Sequence, residues 1–114
     1  MVAEQDGGDT RDQALGRLLQ PAAVAIVGMS AKPNTAGHLV LRNLRMNAFA
    51  GEIHLIGRSG GDVDGLSIRT DMADLPEGVD VAVLTVPAAA VGEALAACAA
   101  RKIGSAVVFA SGFA

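Results

Sequence analysis

The sequence predicts an α/β fold, a parallel sheet of about five strands with helices against its faces. Three observations carry that expectation. Short apolar runs alternate with helix-period segments along the 114 residues, an order that pairs strands in parallel through right-handed crossovers. Apolar residues make up 51% of the chain, yet only Phe49, Phe109 and Phe113 are aromatic, so the core is aliphatic. The 14 glycines let layers approach closely, which suits strands covered on both faces. A chain of this length forms one domain and buries roughly two-thirds of the surface its unfolded form exposes.

Residues 1–12 are polar and read as flexible. Asp12 is placed to cap a short helix over 13–19, with Leu15, Leu18 and Leu19 as its apolar stripe and Pro21 ending it. The expected division is thus a flexible segment with a short helix over 1–17 and a folded domain over 18–114. Strand one covers 22–27. A turn of small residues from Gly28 to Gly37 opens onto a helix over 36–47, with Val40, Leu41, Leu44 and Ala48 facing the sheet and Arg42, Asn43 and Arg45 facing out. Strand two is Glu52–Ile56, and the loop over 57–65 holds four glycines, as in a chain that turns tightly or lies close against something.

Leu66–Arg69 alternates as a short strand, and Thr70–Pro76 reads as a capped helical turn. Val79–Val86 is apolar almost throughout, the pattern of a strand buried on both faces. Pro87 starts a helix over 88–101, Arg101 and Lys102 complement its dipole, and Gly104 supplies a left-handed stop. Ser105–Phe109 is the last strand. The order is Rossmann-like. Another helix normally follows such a strand, so the ending Ser111-Gly112-Phe113-Ala114 reads as a domain cut from a longer protein or one whose open face a partner covers. Self-association is the corresponding expectation.

Charge narrows the function. The net charge of −3 disfavours nucleic-acid binding. Residues 21–58 nevertheless carry Lys32, Arg42, Arg45 and Arg58 against Glu52 alone, whereas residues 59–114 carry three basic residues against seven acids. Positive charge gathers where the small-residue turn meets its helix, and helix N-termini attract anions through unpaired N–H groups. No apolar run approaches the roughly 20 residues that span a bilayer, so no membrane role is expected. The single Cys98 allows no internal disulfide and fits a reducing cytoplasm.

Catalytic groupings are thin. Cys98 lies in an alanine-rich helix as a small apolar side chain, and His38 and His54 have no metal-ligand spacing with it or each other. His38 stands near the helix start, within reach of a phosphate or on the solvent side. Asp71 and Asp74 read as caps, and Ser30 as a hydroxyl donor to phosphate. The isolated domain is expected to bind and not to catalyse. The turn has neither the G-x-G-x-x-G spacing of dinucleotide folds nor a P-loop. An NAD site would want an acid about 20 residues past the glycine turn. Here Gly57-Arg58-Ser59 occupies that place, and an arginine fork suits an additional ribose phosphate, as in NADP or coenzyme A.

Leu18 through Ser30, then Pro33 and Gly37, Leu41-Arg42-Asn43-Leu44, Leu75 through Val83, Val86-Pro87-Ala88 and Ser111-Gly112-Phe113 together resemble the CoA-binding domain of NDP-forming acyl-CoA synthetases, relatives of the succinyl-CoA synthetase alpha subunit. The resemblance covers nearly everything from Leu18 onward. It implies a Rossmann-like domain that binds coenzyme A or an acyl-CoA and works with an ATP-grasp domain or subunit. Gly28, Met29, Ser30, Lys32, Pro33, Thr35 and Gly37 would cradle phosphates, Arg58 and Ser59 would hold the ADP portion, Val86 and Pro87 would line the nucleotide and pantetheine path, and Ala110 and Ser111 would lie near the thiol. Two departures stand out. Asn-Pro-Lys is usual where this chain has Gly57-Arg58-Ser59, and a lysine is usual at Thr35; Arg58 and Lys32 are the available substitutes. An NADP-binding reductase fragment and a non-catalytic regulatory or interaction module are the alternatives.

Overall fold

Five of six strands run parallel because crossovers, not hairpins, join them, as shown by a computed structural model that describes residues 15–109. The strands are β1 (Ala23–Val27), β2 (Glu52–Ile56), β3 (Asp62–Val63), β4 (Leu66–Arg69), β5 (Val81–Leu84) and β6 (Ser105–Val108). They lie in the order β3-β4-β2-β1-β5-β6. Only β3 is antiparallel, to β4. It is the strand beyond the expected five. The loop over 57–65 does turn tightly, through Gly65, with φ +82, and Asp64, with φ 52, but its expected reading held no strand. The expectation failed because two residues are too short a run for alternation to register.

The helices are α1 (Ala36–Met46) and α2 (Val91–Ala100), which cover opposite faces. Beneath α1 lie Ile26, Met29, Leu41, Leu55 and Ile68, with Val40 and Leu44 half-buried beside them. Ala48 does not join this face. It sits past the helix end, exposed, with φ 57. Beneath α2 lie Ala25, Val27, Ile56, Ala82, Leu84 and Cys98. The core is aliphatic on both sides. Burying each of these larger side chains contributes on the order of 1.5–3 kcal/mol.

Pro87 does not begin α2 directly. It caps a 3-10 turn, Ala88–Ala90, that leads into the helix. The left-handed residue at the other end is Lys102, with φ 58, and not Gly104. Gly104 serves a different purpose: a Cβ there would lie 2.8 Å from the Asp80 carbonyl oxygen and 2.7 Å from Cζ of Arg17. Arg101 turns back so that its Nη2 donates to the Leu75 carbonyl instead of merely meeting the helix dipole.

Residues 15–19 are helical, and Leu15, Leu18 and Leu19 are exposed rather than buried as a stripe. Arg17 holds this segment down. Its Nε donates to Asp80 Oδ1 at 2.6 Å and its Nη2 to the Gly78 carbonyl at 3.0 Å. Asp80 Oδ2 accepts from the Ala22 and Ala23 amides. The Asp12 cap and the flexible segment lie outside the described residues. Among the described residues no helix is long and apolar enough to cross a membrane.

Candidate functional site

The chain runs from β1 to β2 and β4 on one side, then returns to place β5 and β6 on the other. Strand order therefore reverses between β1 and β5, and the chain leaves their carboxyl ends in opposite directions across the sheet. Such a reversal leaves a crevice in open α/β sheets. Here it is a cleft of about 620 Å³, within the range of small-molecule sites.

Its position follows from the turn after β1. Gly28 has φ +101, and a Cβ there would come within 2.8–2.9 Å of three Thr85 atoms. Thr85 is itself fixed, its amide donating to the Val27 carbonyl at 2.7 Å and its hydroxyl at 3.0 Å. The turn and the end of β5 thus press together without side chains between them. On the other side Gly57 packs against the Met29 carbonyl so closely that no Cβ fits. That contact brings Arg58 and Ser59 beside Ser30.

Eight of the expected residues border one cleft: Gly28, Met29, Ser30, Lys32, Arg58, Ser59, Val86 and Pro87. Met29 contributes little side chain, being 3% exposed with its sulfur packed on Gly37 under α1. Gly37 is correspondingly buried; it lets helix and turn meet and does not line the cleft. Pro33 and Thr35 also lie outside it, bordering two other depressions around Arg42. Thr35 precedes α1 without capping it, and its hydroxyl donates weakly to the Lys32 carbonyl. Ala110 and Ser111 lie outside the described residues. Gly60, Met72, Thr85, Ala90, Glu93, Ala94 and Ala97, none of them expected from sequence, complete the lining. The helical period placing Ala90, Ala94 and Ala97 on one face was visible, but which layer that face meets was not.

The turn's amides are not all aimed outward. Gly28 and Met29 both donate to the Ile56 carbonyl at 2.8 Å, which ties the turn to β2. Lys32 N donates to Ser30 Oγ at 3.1 Å. Among the described residues the Ser30 and Ala31 amides have no acceptor, and the Ser30 hydroxyl accepts from Lys32 N without donating to another group. His38 neither faces solvent nor offers itself to phosphate. Its Nε2–H donates to the Ser30 carbonyl at 2.7 Å and fixes the residue that carries those free donors. His54 pairs with Glu52 on β2 at 3.1 Å, and Asp71 caps the turn after β4 by accepting from the Ala73 amide. Burial raises the Cys98 thiol above its ordinary value, so it stays protonated and apolar.

Among the described residues the cleft holds two cations, Lys32 and Arg58, and one carboxylate, Glu93. Arg42 and Arg45 point to a separate hollow shared with Asp64. Residues 22–114 match the family described as CoA binding domain. The chain belongs to that family. The CoA-binding domain is 34% identical over 102 residues to a trans-feruloyl-CoA synthase from an unknown prokaryotic organism, covering 90% of this chain and 14% of the relative. It is 33% identical to an ADP-forming acetate–CoA ligase of Archaeoglobus fulgidus, covering 99% of this chain and 17% of that one. A dinucleotide-forming acetyl-coenzyme A synthetase from Candidatus Korarchaeum cryptofilum, solved with phosphate and ADP, superimposes with a TM-score of 0.79 at 37% identity, over 87% of this chain and 21% of that one. The CoA-binding domain thus spans about a fifth or less of the length of these curated relatives. The fold also occurs nearly alone: a hypothetical protein from Pyrococcus horikoshii matches 98% of this chain with 94% of its own, at a TM-score of 0.59 and 18% identity.

Proposed function

We propose that the domain holds coenzyme A by its phosphorylated nucleotide end in the cleft between the Gly28–Lys32 turn, the Arg58 loop and α2. The parent activity we assign is an NDP-forming acid–CoA ligase, in which an ATP-grasp domain or subunit handles the nucleotide and this domain presents coenzyme A. Coenzyme A supplies the thiol; the residues of this chain bind and orient it. The observation that carries the reading is the convergence of Arg58, Lys32 and the Ser30 donors on one cleft at the sheet's reversal point. In this reading the diphosphate takes the Ser30 and Ala31 amides and the Ser30 hydroxyl. Arg58 then takes the 3′-phosphate, replacing by its planar fork the point charge of a lysine. Val86 and Pro87 line the path of the nucleotide and the pantetheine arm.

Calorimetric titration with coenzyme A and dephospho-CoA tests this. The wild-type domain should bind coenzyme A about tenfold more tightly, the value of one charge-assisted contact. Arg58→Ala should erase the difference while leaving dephospho-CoA binding unchanged. Equal wild-type affinities would remove the role of Arg58, and no binding of either would overturn the reading. NADPH in the same titration tests the reductase alternative, which predicts that it binds in preference.

A further inference from the structure

The cleft is not uniformly basic, and its one carboxylate stands on a wall unlike the rest. Glu93 lies in the first turn of α2, and on the same wall Ala90, Ala94 and Ala97 present nothing beyond a Cβ. Met72, Val86 and Pro87 add apolar surface to the same cleft. Methyl groups and apolar side chains offer a surface for a ring to stack on and few hydrogen bonds. The cations sit elsewhere on the lining, in the loops after β1 and β2. A ligand that were anionic throughout would be repelled by Glu93. One with phosphate at one end and an N–H-bearing ring at the other satisfies both ends.

We infer that Glu93 selects the base: its carboxylate accepts from the exocyclic amino group of an adenine ring lodged against the alanine face of α2. The inference rests on the coenzyme A reading and adds to it a determinant of which nucleotide enters. A carboxylate beside a 6-amino group gains a charge-assisted hydrogen bond, whereas beside the bare C6–H of unsubstituted purine it finds no donor. Glu93 is exposed on its helix, so its replacement leaves the core untouched. A first-turn glutamate also complements the dipole of α2, but that role is indifferent to the ligand, which allows the two to be separated.

The experiment titrates wild type, Glu93→Gln and Glu93→Ala with adenosine 3′,5′-bisphosphate and purine riboside 3′,5′-bisphosphate, with thermal melts to confirm that all three are folded. Wild type should prefer the adenosine compound by about tenfold, Glu93→Ala should lose that preference, and Glu93→Gln, which keeps a neutral acceptor, should retain only part of it. Full preference in Glu93→Ala, or none in wild type, would overturn the assignment of Glu93 while coenzyme A binding by wild type left the wider reading in place. Absence of coenzyme A binding would overturn both.

Discussion

At the scale of single residues, the site depends on places where a side chain is missing. Gly28 is the sharpest case, with a positive φ and the Thr85 backbone where a Cβ would go. Gly28→Ala should cost about 2–4 kcal/mol in urea unfolding, because backbone strain and steric displacement of β5 add together. A loss below 0.5 kcal/mol, the scale of an ordinary surface change, would show that the turn relaxes freely. Much of this scale was legible in the chain. Ser30, Lys32, Arg58 and the Val86-Pro87 pair were expected to share a site, and they border one cleft. Pro33, Thr35 and Gly37 do not border that cleft. Adjacency in a turn says nothing about which side each residue presents, and Gly37 was needed for packing on Met29. Nor could spacing show that the first two turn amides are committed to the Ile56 carbonyl.

Among elements, the joint between the N-terminal segment and the sheet has a distinct chemistry. Asp80 gathers Arg17 and two backbone amides. The Arg17 hydrogen bond first, and then the amides, hold its carboxyl below the ordinary value of 3.8, against an opposing effect of burial. A carboxyl whose folded pKa is depressed contributes stability that is present above its unfolded value and lost as pH falls through the folded one. Denaturant unfolding should therefore show a loss between roughly pH 5 and pH 2 that Arg17→Ala reduces. Because the Arg17 side chain is 41% exposed, water screens the pair, and the variant should cost about 1 kcal/mol or less at pH 7. An unaltered acid limb in Arg17→Ala would contradict this account. From sequence, Asp80 was only one of seven acids in its half. Its partners lie about sixty positions away, and local pattern does not reach across such separations. The main strands and both helices were legible because their periods are long and regular. The two-residue β3 was not, and the ends of α1 and α2 moved because Ala48 and Lys102 adopt left-handed conformations usually left to glycine or asparagine.

For the whole molecule, function follows from the topology. The reversal between β1 and β5 opens the crevice, the two glycine contacts narrow it, and the asymmetric charge supplies Lys32 and Arg58 at its mouth. The chain's excess of acid elsewhere is compatible with an anionic ligand because only the cleft must be attractive, and salt screens charges farther away than about 10 Å. The measurement that bears most directly on the account is a crystal structure of the domain grown with coenzyme A. The nucleotide end should occupy the cleft, with a ribose phosphate oxygen in contact with the Arg58 guanidinium and a diphosphate oxygen at the Ser30 or Ala31 amide. Coenzyme A seated instead in the hollow beside Arg42 and Arg45, with the cleft left to solvent, would contradict it.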